Sequence, residues 1–159
     1  VKPSRWDLVL DQKPRPLTEH LADEVAELFA RDLQTWPPPF EELDPALRQG
    51  LEGREVAPSL VLYAEAFKLA ALDLEREVDA VDDYYRNRRY LEAGLGPDDR
   101  GLLQLISRFL VEQLLALGEA TEGRFRRPQL LEVLARTRRR FLGRRGPPEG
   151  AVASGPQGG

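Results

Sequence analysis

The chain has 159 residues, 31% of them charged and 42% broadly apolar, which allows one domain with a buried core and is short of two ordinary ones. It contains no cysteine and no methionine, and His20 is the one histidine. Disulfides, thiolate nucleophiles, Cys-ligated zinc and the usual histidine-centred triads and metal sites are therefore excluded.

The net charge of −4 conceals a polarity. Residues 1–119 hold 14 basic against 24 acidic side chains, whereas residues 120–145 hold nine arginines against Glu122 and Glu132. A basic element on an acidic body either meets an anionic partner or docks on the body's own acidic face. Arginine outnumbers lysine 20 to 3, which fits a GC-rich genome and permits a thermophilic source. Val1 to Gln12 has no apolar core, so no signal peptide is expected. The apolar run from Gly101 to Gly118 is interrupted by Arg108 and Glu112 and reads as too short to span a bilayer. A cytoplasmic protein with no membrane contact is the expectation.

In chain order, residues 1–17 form an N-terminal extension in which Trp6, Leu8 and Leu10 alternate like an orphan strand. Thr18 has the character of an N-cap, and Leu21, Val25, Leu28, Phe29 and Leu33 follow at helical spacing. Asp23 and Glu24 lie in the early turns, where the helix dipole favours them. Trp36 to Phe40 (WPPPF) must end that helix and reads as a stiff spacer. Asp44-Pro45 opens a short helix to about Leu51, closed by Gly50 and Gly53.

Pro58 begins the most informative stretch. Ala57, Ala64, Ala71, Val78 and Tyr85 recur every seven residues, as do Leu60, Phe67, Leu74, Val81 and Arg88. The pattern predicts one central helix over residues 58–92, roughly 50 Å long at ~1.5 Å per residue. Its first half is apolar on every side and belongs in a core; after Leu74 only the seam stays apolar. Val78, Val81, Tyr84, Tyr85, Arg88 and Leu91 are thus the candidate partner interface. Asp82–Arg86, Tyr84–Arg88 and Tyr85–Arg89 are spaced for mutual contact. DDYYRNRRYLEAG (Asp82 to Gly94) therefore reads as a helix end and assembly surface, with nucleic-acid contact open to its outward arginines.

Glu75, Asp79 and Asp83 share one face of that helix, the kind of row that holds magnesium when a second acidic pair faces it. Glu112 and Glu119 lack the paired spacing, so the row reads as a solvated face, and no metal or cofactor is expected. Gly94, Gly96 and Gly101 fit no phosphate loop, and no serine has a base nearby in sequence. His20 reads as an ordinary satisfied side chain. The chain is expected not to be an enzyme.

Gly94 and Gly96 close the long helix, and Pro97-Asp98-Asp99 opens a second core helix from Leu102 to Leu117, ended by Gly118 and Gly123. Pro128 starts a last helix with Leu130, Leu131, Leu134 and Phe141 inside and Arg136, Arg139 and Arg140 outside. Arg124, Arg126, Arg127, Arg136, Arg138, Arg139 and Arg140 are the candidate contact for nucleic acid or an acidic protein. The Gly- and Pro-rich residues 144–159 read as a flexible tail or linker. The fold expected is all-α, a bundle of about five helices over residues 18–143, with the segments 58–92 and 98–117 at its centre.

Residues 60–110 resemble the helical domain of archaeal-type GINS subunits. The likeness is carried by LVLYAEAFKLAALDLEREVDAV, the arginine-rich YYRNRRY and the acid-capped GPDDRGLLQLISRFL. The resemblance implies a non-enzymatic assembly subunit of a DNA-replication complex, nucleoid-associated and oligomeric. Its implied partners are other GINS-type subunits, the MCM helicase and a RecJ-like protein. Such subunits also carry a small β-rich domain; residues 1–17 are too few for one, so either it is absent or the tail leads into it. Two other readings stay open. One is a helical nucleic-acid-binding protein using the C-terminal arginines, and the other is an all-α chaperone for a redox enzyme.

Overall fold

Apolar residues at helical spacing build α1 (Glu19–Leu33), whose Val25, Ala26, Phe29, Ala30 and Leu33 are buried. A computed structural model describes residues 19–36, 45–51, 57–121 and 125–143. The expectations for residues 1–18, the prolines after Trp36, Asp44, Gly53, Gly123, Arg124 and the tail lie outside them. Every element among the described residues is helical.

Helix α2 (Pro45–Leu51) starts at its proline and lies on a later core helix. Gly50 makes that approach possible, since a Cβ there would come within 2.8 Å of the Leu105 side chain. Helix α3 (Leu60–Leu74) begins two residues later than Pro58, because the Ser59 hydroxyl caps it by accepting from the Leu62 amide at 3.2 Å. Leu62, Tyr63, Ala66, Phe67, Leu69 and Ala70 are all buried, so this half of the seam is the centre of the core.

The single helix expected over 58–92 is not formed. It is divided into α3, α4 (Val78–Arg86) and α5 (Arg89–Glu92). Arg76, at φ 61°, adopts the left-handed conformation that ends helices. The amides of Glu77 and Arg76 then reach back to the carbonyls of Leu72 and Asp73, both at 2.9 Å. Arg88, at φ 52°, makes a second break, its amide bonded to the Tyr85 carbonyl. Gly94 makes the third, and that one is where the glycine predicted it.

The long helix of the bundle is instead α6 (Arg100–Ala120), entered through a 3-10 turn at Pro97–Asp99. Leu103, Ile106, Phe109, Leu110, Leu114 and Leu117 fill the core from it. It passes through Gly118 and ends at Thr121, whose hydroxyl donates to the Leu117 and Gly118 carbonyls and accepts from the Phe125 amide. By length and composition Pro97–Ala120 could cross a membrane, so the expectation that this stretch is too short does not hold. Part of that window, 39%, is buried in the bundle, while an Arg108–Glu112 pair at 3.1 Å and the exposed Leu115 lie on its open side.

Helix α7 (Arg127–Gly143) closes the bundle against α1 and α3. The Gln129 side chain reaches back to accept from the Arg126 amide at 2.9 Å, half of a capping box. Phe141 meets Tyr63 edge-on at 4.7 Å between centroids, and Phe29 meets Phe109 at 6.4 Å. Full burial of each such ring is worth about 2–3 kcal/mol of transfer free energy.

Candidate protein-interaction surfaces

The break at Arg76 folds α4 back along α3. The Tyr84 hydroxyl donates to the Glu65 carboxylate at 2.5 Å. These residues are 19 positions apart, and one continuous helix would separate them by about 28 Å. Burial, with Glu65 beside it, pushes the Tyr84 phenol far above the ordinary range, so it remains a donor. Lys68 lies 5.7 Å from the centre of the Tyr84 ring and 3.4 Å from Glu65.

This packing rearranges the expected interface. Tyr84 is buried, Tyr85 and Val81 are half-buried, and Arg88 is exposed at the second break. Val78 is 62% exposed and Leu91 38%. The anticipated tyrosine–arginine contacts within the stretch are replaced. Tyr84, Tyr85 and Tyr90 cluster with ring centroids 5.4 to 6.4 Å apart. The guanidinium over Tyr85 belongs to Arg100, at 5.2 Å. Burial raises the Tyr85 phenol to about 12, with Arg100 pulling against it. Arg86 pairs with Asp83 at 2.6 Å, not with Asp82. The break also divides the row of Glu75, Asp79 and Asp83, because Glu75 caps α3 while the two aspartates ride on α4. Among the described residues no cluster of His, Asp or Glu is arranged to hold a metal ion.

Grooves lie on two sides of α3. One runs between α3, α4 and α6, with Leu69, Val81, Tyr85, Val111 and Leu115 along it and Asp73 and Arg108 among its polar groups. Leu115 is 51% exposed there. Val78 continues the face of α4 that carries Val81 and Tyr85. The second groove, about 310 Å³, lies between α3 and α7. Ala64, Phe67, Ala71, Leu131, Leu134 and Ala135 form its apolar walls, and Glu65, Lys68 and Arg138 are its charged groups, Glu65 pairing with Lys68.

The arginine helix divides into two sets. Arg140 bonds Asp23 and, at 3.0 Å, Glu27 of α1. Arg136 bonds Glu132 at 2.7 Å and Asp23 at 3.4 Å. The Arg140 guanidinium holds the Asp23 carboxyl below its usual value, and Asp23 raises Arg140 in return. These two cations, expected to face outward, are docked on the body's own acidic face. Arg126, Arg127, Arg138 and Arg139 are exposed, with no side-chain ion pair among the described residues. Sequence reasoning missed Glu65, Lys68 and Arg100, since only the back-folding of α4 brings them to the tyrosines. It also missed Leu115, which helical periodicity alone places beside Arg108 and Glu112 on the open face.

No protein-family model, curated protein or solved structure matches this chain.

Proposed function

We propose that the protein is a non-enzymatic assembly subunit working through helix–helix contacts, in the cytoplasmic, GINS-like replication setting its sequence resemblance implies. The observation that carries this reading is the groove beside α4, where Leu115 is 51% exposed, Val81 and Tyr85 are half-buried, and the exposed Val78 extends the same face. Isolated exposed apolar residues are ordinary on soluble proteins; a row of them along a groove between helices is what a partner helix fills. The resemblance loses its continuous 58–92 helix, so the contact surface it offers is a short ridge and not a long rod. Other GINS-type subunits remain the partners, with the MCM helicase and a RecJ-like protein beyond them.

Co-expression with the GINS-type subunits encoded in the same genome tests this. A complex of fixed stoichiometry is expected, weakened at least about tenfold by Leu115→Glu, as befits a charge introduced at an interface centre. A chain that never joins those subunits overturns it.

A second reading draws on Arg126, Arg127, Arg138 and Arg139, which could meet a nucleic-acid backbone. It predicts binding that weakens steeply with salt, and Arg138→Gln with Arg139→Gln would reduce the logarithmic salt slope by about 2. No binding to duplex or single-stranded DNA at low salt removes it.

A further inference from the structure

We infer that the partner of the α4 ridge is the arginine-rimmed groove of a second copy of this chain. The inference rests on the assembly reading and names one of its contacts. The ridge and the groove are complementary in shape, polarity and charge. On the ridge, Val78 stands 62% exposed, with Glu75 and Glu77 in the turn before it and Asp79 and Asp82 beside it. None of these four exposed carboxylates has a side-chain ion pair among the described residues. In the groove, the walls are alanine, leucine and phenylalanine side chains from α3 and α7. Arg138 at its rim and the neighbouring Arg139 are exposed and likewise unpaired among the described residues. Lys68 adds a third cation, although Glu65 already engages it.

The dimensions agree. Helix α4 has nine residues, about 13 Å of helix, and the groove along α3 from Ala64 to Ala71 is about 11 Å long. The small side chains Ala64, Ala71 and Ala135 let a helix backbone come close, which is what a valine knob needs to reach the floor. Opposite charges at the rim then set the orientation and speed the encounter, as is usual where charge surrounds an apolar contact. A second copy is favoured over a foreign partner because the chain itself carries both halves of the match.

Sedimentation velocity on the full chain, from micromolar to near-millimolar concentration and at low and high salt, provides the test. The wild type is expected to self-associate, less so at high salt. Asp79→Arg with Asp82→Arg cancels the ridge's net negative charge against the remaining Glu75 and Glu77, so that it no longer attracts the arginine rim, and Arg138→Glu with Arg139→Glu leaves a chain acidic on both surfaces. Each variant alone is expected to stay monomeric, while their equimolar mixture associates to within about tenfold of the wild-type affinity, since the charge pairing is restored. All four positions are exposed, and helix content by circular dichroism checks that the variants fold. Val78→Ser, which alters no charge, is expected to weaken association about tenfold, the range for losing a buried apolar anchor.

A wild type that stays monomeric overturns the inference, as does a mixture no more associated than its components. A monomer that binds DNA through Arg138 and Arg139 overturns it as well. A monomeric chain that still enters a stoichiometric complex with other subunits removes this contact and leaves the assembly reading in place. A chain that does neither removes both.

Discussion

Arg76 adopts a left-handed backbone that costs a non-glycine residue about 1–2 kcal/mol. It does so because the turn it makes gives the carbonyls of Leu72 and Asp73 their amide partners. Arg76→Gly is therefore expected to raise stability by about 0.5–1 kcal/mol, part of the relief being returned through the greater freedom of glycine in the unfolded chain. Urea denaturation measures it, and a loss of stability would show that the arginine side chain holds the turn by other means. Nothing at this position announces a helix end, since glycine and asparagine are the residues that mark left-handed caps. Gly94 was legible for that reason, and Arg76 and Arg88 were not. Tyr84 makes the complementary point. Removing its hydroxyl in Tyr84→Phe strips Glu65 of a donor in a half-buried site, at an expected cost of about 1.5–3 kcal/mol for a hydrogen bond to a charged group. A change under a few tenths of a kcal/mol in the urea midpoint analysis would contradict the proposed role of that bond in holding α4 on α3.

The helices themselves were largely written in the sequence. The spacing of Val25, Phe29 and Leu33 located α1, and the density of apolar residues marked α3 and α6 as the core pair. Heptad periodicity failed after Leu74 because it is blind to a reversal of direction. A helix that turns back can keep every apolar residue in register and still present a different set to solvent. The α1–α7 contact was legible only as an alternative, because the sequence carries the charges of Asp23, Glu27, Arg136 and Arg140 but not their 113-residue juxtaposition. Asp23 gives this contact a pH signature. Its folded-state pKa is depressed, so its contribution is present in full above the ordinary aspartate value and lost as the pH falls through the lower folded value. Asp23→Asn should accordingly cost about 1 kcal/mol or less near neutrality, as befits a half-exposed pair, with the gap to wild type closing as the pH drops below about 4. A gap that persists unchanged into acid would show that the aspartate acts through packing and not through its charge.

For the whole molecule, stability is concentrated where α3, α6 and α7 meet. Phe141 lies against Tyr63 and Phe67 there, and Phe141→Ala is expected to cost about 3–5 kcal/mol. That is a large part of the total for a domain this size, and thermal denaturation should register it as a marked fall in Tm. The ridge and the groove between α3, α4 and α6 are consequences of one event, the folding of α4 against α3. It buries Tyr84, raises Val78 on a ridge, and leaves a groove between that helix and α6. The absence of cysteine from the chain makes that event directly measurable. Spin labels on Val61→Cys and Asn87→Cys, both at exposed positions, report the distance between the start of α3 and the end of α4 by pulsed electron resonance. Folded back as described, the two sites lie within about 20 Å, a little more than one helix diameter plus the label arms, whereas an unbroken helix would hold them about 39 Å apart. A distribution centred at the longer distance would contradict the account, and with it the ridge and the groove beside α4.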